Sequence, residues 1–144
     1  MKLNFTMSEL INSNEAKKYG INNIPNDKQI LDNLLVLITE CLQPIRDISQ
    51  RAFIITSGYR CQTLNSLPSI RGAKNSQHLT GQAADFVIKG LTVDEAYNFI
   101  KKSNVKYTQL IKEKNQWIHI SYCKNNLKCE NLIFNGKDYI KDLI

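Results

Sequence analysis

The ten residues Ser76-Gln77-His78-Leu79-Thr80-Gly81-Gln82-Ala83-Ala84-Asp85 place one of the chain's two histidines seven positions before a carboxylate at the head of an apolar run. That run, Ala83 to Ile88, reads as a strand: alternation sets Ala84, Phe86 and Ile88 on one face and Ala83, Asp85 and Val87 on the other. The second histidine, His119, lies in another apolar run, where Ile118, Ile120 and Tyr122 oppose Trp117, His119 and Ser121. With the Phe86 and Ile118 faces turned into a core, Asp85 and His119 share the face that looks away from it. Gly81 permits the turn that brings His78 back over the start of the first strand. Two imidazoles and a carboxylate fill three corners of a catalytic zinc site and leave the fourth to water. The competing reading makes Asp85 a turn cap and both histidines polar surface residues, and spacing alone does not choose between them.

The chain of 144 residues is long enough for one compact core, and its mixture of apolar and charged residues is that of a globular protein. A formal charge of +6 favours encounters with polyanions, whether nucleic acid or an anionic cell wall. No apolar run approaches the roughly twenty residues of a membrane-spanning helix. The start, Met1-Lys2-Leu3-Asn4-Phe5, lacks the apolar segment and small-residue cleavage site of a secretory signal, so synthesis in a cytoplasm is expected. An extracellular substrate would then be reached through lysis, by a non-standard export route, or with a precursor segment. Cys41, Cys61, Cys123 and Cys129 form no C-x-x-C element and are expected to be reduced, with Cys123 and Cys129 the first pair to test in an oxidising setting.

Along the chain, Thr6 and Glu9 resemble a capping box at the start of a short helix running to about Lys18. Asp27 begins a longer helix with Ile30, Leu34, Leu37, Ile38, Cys41 and Leu42 on its apolar stripe, and Pro44 closes or kinks it. Ala52 to Thr56 is a strand whose exit carries Ser57, Gly58, Tyr59 and Arg60. Leu67 to Gln77 is a loop leading to His78. Thr92 and Glu95 cap a helix that packs through Val93, Ala96, Tyr97 and Ile100. Tyr107 to Ile111 and Gln116 to Tyr122 form a hairpin around Lys112 to Asn115. Leu132 to Phe134 is an expected edge strand, followed by a turn at Asn135 and Gly136.

Taken together, Ser57-Gly58-Tyr59-Arg60, then Ser76, His78, Gly81, Ala83 and Asp85, then Gln109-Leu110-Ile111 with Glu113, then Trp117, His119 and Ser121, resemble the zinc D-alanyl-D-alanine carboxypeptidases and their phage endolysin relatives, the M15 peptidases. The resemblance spans roughly Ile54 to Tyr122. It implies an α+β fold of the M15 or hedgehog-like kind, an antiparallel sheet flanked by helices and carrying one zinc ion, here a single catalytic domain over residues 1–144. By that resemblance His78, Asp85 and His119 are the zinc ligands, Arg60 lies near the substrate, and Ser76 accompanies the first ligand. Glu113 matches the carboxylate that activates water, while Gln116 stands where some relatives carry a carboxylate and, being neutral, cannot take a proton. Ser57 and Tyr59 are expected to orient Arg60 or the peptide.

The expected activity is zinc-dependent hydrolysis of a peptide bond in a peptidoglycan stem peptide, by a monomer released to the cell wall during lysis or carried as a virion component. The bond is either D-alanyl-D-alanine or an internal one. A catalytically silent zinc domain that binds wall peptides or another protein is the alternative. Lys101, Lys102, Lys106, Lys112, Lys114, Lys124 and Lys128 could instead face phosphates, but no nucleic-acid motif accompanies them, and no nucleic-acid partner is expected.

Overall fold

A six-stranded sheet in the order β1-β2-β4-β3-β5-β6 organises the computed structural model, which describes residues 2–144. The strands are β1 (Phe53–Ser57), β2 (Ala83–Ile88), β3 (Gln109–Glu113), β4 (Trp117–Ser121), β5 (Glu130–Phe134) and β6 (Tyr139–Lys141). All neighbours are antiparallel except β3 and β5, which run parallel. The chain is therefore α+β with a mostly antiparallel sheet. Leu132 to Phe134, expected at an edge, is interior, because β6 pairs outside β5 and takes the edge.

Among the described residues, six α-helices accompany the sheet: α1 (Met7–Ile11), α2 (Asn14–Lys18), α3 (Lys28–Leu37), α4 (Gln43–Ser49), α5 (Gln62–Asn65) and α6 (Val93–Lys102). The Thr6/Glu9 and Thr92/Glu95 capping boxes both form, so the first amides of α1 and α6 find side-chain acceptors. The expected first helix is split in two, since Ser13 accepts from the Ala16 amide and starts α2 afresh. Between α3 and α4 a π-helical turn, Ile38–Leu42, carries the helix past Pro44 without ending it. Proline offers no amide and its ring crowds the carbonyl four residues back, so the wider turn relieves both problems where an unbroken α-helix would not.

The core lies between one sheet face and the helices. Phe86, Ile88, Leu110, Ile118 and Ile120 from the strands join Leu34, Leu37, Ile38, Leu42 and Ile45, with Ala96, Tyr97 and Ile100 of α6. Phe53 stacks on Phe86 and meets Phe5 edge-on, tying the N-terminal segment to β1 and β2. The other face carries Asp85 and His119, as the alternation of the two apolar runs requires. No described helix is long and apolar enough to cross a membrane.

Candidate metal centre

Asp85 and His119 are direct register partners on the neighbouring strands β2 and β4, so their side chains emerge side by side. His78 comes from a 3-10 turn, Gln77–Thr80, which Ser76 opens by accepting the His78 amide at 3.2 Å. Gly81 closes the turn at φ +75°, and a Cβ there would come within 2.9 Å of the Ile30 carbonyl oxygen. The turn is thereby pressed against α3, where Asn33 Nδ2 also donates to the Thr80 carbonyl.

The exit of β1 folds over this turn. An irregularity in pairing leaves Thr56 between the Ile55–Phe86 and Ser57–Asp85 pairs, and such a bulge re-aims the strand end. Gly58 then passes so close to α1 that a Cβ would lie 2.2 Å from the Leu10 carbonyl oxygen. The Tyr59 amide donates to that same carbonyl at 2.7 Å, and the Arg60 amide donates to the His78 carbonyl at 3.0 Å. Buried Asn23 fastens the segment from outside through the Tyr59 carbonyl and the Cys61 amide.

One potential ligand atom from each of His78, Asp85 and His119 falls within 4.8 Å of the others. Asp85 Oδ1 is 2.9 Å from His119 Nδ1 and 3.3 Å from His78 Nε2. His78 Nδ1 sits 2.7 Å from the Gly58 carbonyl, an acceptor only, so that nitrogen carries the proton. In the neutral ring Nε2 then presents a lone pair to a carboxylate oxygen, and it is a buried nitrogen with no hydrogen-bond partner among the described residues. Burial lowers the His78 pKa, against the opposing pull of Asp85. Burial raises that of Asp85, but the attraction of His78 in its protonated form and the hydrogen bond from His119 outweigh it and hold the carboxyl well below the usual range. An ionised carboxylate facing a bare imidazole nitrogen is a donor set able to hold a cation, and the carbonyl that fixes the His78 tautomer is the kind of outer contact ligating histidines use.

Arg60 and Glu113 flank the cluster. Arg60 Nη2 lies 3.6 Å from Asp85 Oδ2, while Nε donates to Ser57 Oγ at 3.1 Å and Nη1 donates to Asn65 Oδ1 at 2.9 Å. Glu113 is on β3, two residues beyond Ile111, the register partner of His119, and so on the same face at a diagonal Cα separation of roughly 7–8 Å. Burial raises the Glu113 pKa, and His119, Asp85, Lys114 and Arg60 are the charges it feels. Gln116 is exposed in the hairpin turn with its amide on the Glu113 carbonyl. Tyr59 sits apart from this group, its side chain in the core and only 8% exposed.

Three features had no warning in the sequence. Asn65 is buried beside Arg60, the Gly58 carbonyl orients His78, and Phe134 and Tyr139 stack at 4.4 Å in the same cross-strand row as Glu113. Each depends on a loop path or on the parallel β3–β5 pairing, which no local spacing reveals.

A largely buried His-Asp-His set beside a carboxylate and an arginine, on one face of an α+β sheet, is the kind of arrangement that metal-dependent hydrolases use. Within that class the chain belongs to the Peptidase M15 family, whose model matches residues 3–121. It is thus a peptidase by family, and members of that family depend on a metal. No curated protein matches it.

Proposed function

We propose that residues 1–144 act as one zinc peptidase domain that hydrolyses a peptide bond in bacterial peptidoglycan, with His78, Asp85 and His119 as the metal ligands. The observation that carries the reading is His78 Nε2, buried and unpartnered 3.3 Å from Asp85 Oδ1. Zinc bound there would acidify a water and polarise the scissile carbonyl. Glu113 takes the proton of the attacking water on its carboxylate and passes it to the leaving amine. Its partly buried position favours this exchange, since a raised pKa brings proton affinity nearer that of the groups it serves. Arg60 donates from Nη2 to a substrate oxygen, and the Ser57 hydroxyl steadies its Nε. Ser76 holds the turn that presents His78. The substrate is a stem peptide cut at D-alanyl-D-alanine or at an internal bond, met by a monomer at the wall after lysis or on a virion.

The test joins metal analysis to a digest of purified peptidoglycan. The expected result is about one zinc per chain and new amino termini with unchanged sugar reducing ends, lost on chelation and restored by zinc. Replacing His78, Asp85 or His119 with Ala should abolish both metal retention and hydrolysis. Stoichiometric zinc in all three purified variants would remove the ligand assignment, and a full digest without products would leave the silent binding domain as the better reading.

A further inference from the structure

Asn65 is 1% exposed, on a four-residue helix with no obvious need for a buried carboxamide. Every polar group it has is engaged. Its Oδ1 accepts from Arg60 Nη1 at 2.9 Å and its Nδ2 donates to the Ala73 carbonyl at 3.0 Å. Its own amide reaches the Cys61 carbonyl, and its carbonyl accepts the Gly72 amide at 2.9 Å. Gly72 lies so close that a Cβ would fall 1.8 Å from Oδ1, so a side chain there would push the carboxamide off Arg60. A buried amide satisfied on both sides, against a residue without a side chain, holds its partner in a single geometry.

We infer that Asn65 is a positioning residue: with Ser57 it fixes the Arg60 guanidinium so that Nη2 alone is turned to the Asp85 side of the cluster. Two of the three guanidinium nitrogens bond to protein acceptors, and the third is 3.6 Å from Asp85 Oδ2. An arginine loses far less freedom on meeting an oxygen when its plane is already set. Asn65 also ties that plane to Ala73, at the foot of the loop that leads into Ser76 and His78, so the arginine and the histidine turn are built from one bonded unit. The effect on hydrolysis rests on the substrate role proposed for Arg60, whereas the fixing of the guanidinium does not.

The direct measurement is nitrogen NMR of the Arg60 side chain, which reads rotation about the Nε–Cζ bond. In the parent the two Nη groups should stay distinct at temperatures where free arginine averages them, and averaging there would overturn the inference without any variant. Asn65→Ala and Asn65→Asp both lose the donor to Ala73, but only the Asp variant keeps an acceptor for Nη1. Rotation should therefore be released in Ala and remain restrained in Asp, and identical rotation in the two would overturn it. In hydrolysis, Asn65→Ala should cost about tenfold or more in the parent and under twofold in an Arg60→Ala background. Full additivity of the two changes would show a general structural role and reject positioning through Arg60. If Arg60→Ala hydrolyses at the parent rate, the substrate role of Arg60 falls, while the NMR result still decides whether Asn65 holds it.

Discussion

Glu113 occupies a position where a mere surface charge would be wasteful: half-buried, on the face of the two histidines, with burial raising its pKa. Loss of a carboxylate to its amide keeps the shape and removes the proton acceptor. Glu113→Gln is therefore expected to fold and to retain zinc like the parent while losing roughly a hundredfold or more in hydrolysis, the scale of a missing general base. Steady-state rates at matched zinc content, followed across pH, check this. Parent-like rates throughout would return Glu113 to a structural charge between Lys112 and Lys114. Gln116 serves as the contrasting residue: being neutral, exposed and in the turn, its replacement by Ala should change the rate less than twofold, within the small effects usual for surface substitutions.

At the scale of elements, the strands that carry Asp85 and His119 were legible because alternation is a local property, and it assigned the faces of β2 and β4 correctly. The capping boxes of α1 and α6 were legible for the same reason. What escaped was non-local. The parallel register of β3 and β5 joins partners 21 residues apart in sequence, and β6 then pairs outside β5 and takes the edge. His78 could be placed near the strand by Gly81, yet the loop that orients its ring could not be, since that depends on α1 meeting Gly58. This contact yields a prediction. A methyl at position 58 must displace the α1 backbone, so Gly58→Ala should destabilise the fold by about 1–3 kcal/mol and should weaken zinc retention by shifting the carbonyl on His78. Denaturant unfolding with metal analysis tests both, and an unchanged midpoint would mean α1 is not held against β1 as described. At the opposite edge, Asp142 straps the chain after β6 to α6, with Lys101 at 2.7 Å and the Tyr97 hydroxyl at 2.8 Å. These two donors hold the Asp142 pKa below the ordinary carboxylate value. A lowered folded pKa gives stability that is complete above the unfolded value, near ~3.9, and that drains away as pH falls through the folded one. Asp142→Asn should accordingly cost about 1–2 kcal/mol at neutral pH, with the gap to the parent closing below about pH 3.9. A gap that stays constant from pH 7 to pH 2 would place its origin in packing.

Over the whole molecule, charge and the proposed metal are the two long-range influences. The positive excess is not one bare surface, because Lys101, Lys112 and Lys128, three of the seven lysines that could have faced phosphates, pair with Asp142, Asp94 and Glu130. The metal centre has the wider reach. Its three side chains arrive from the turn after the long loop, from β2 and from β4, so an ion there would join segments up to 41 residues apart in the chain, from His78 to His119. Without a cation, His78 Nε2 and Asp85 Oδ1 confront each other with lone pairs in a buried place, a cost that binding removes. A metal that binds only the folded state stabilises it by about 4 kcal/mol at a thousandfold excess over its dissociation constant. For a chain of this length that corresponds to roughly 8–16 °C in Tm. Chelation followed by zinc titration should therefore lower and then restore the unfolding temperature by this order. The same shift is expected in Glu113→Gln, because the base proposed there takes no part in holding the ion, and it should vanish in His119→Ala, which lacks a proposed ligand. A parent Tm indifferent to zinc would sink the metal centre itself. A shift that survives in His119→Ala would move the ion to other residues, and one lost in Glu113→Gln would make that carboxylate a ligand in place of a base.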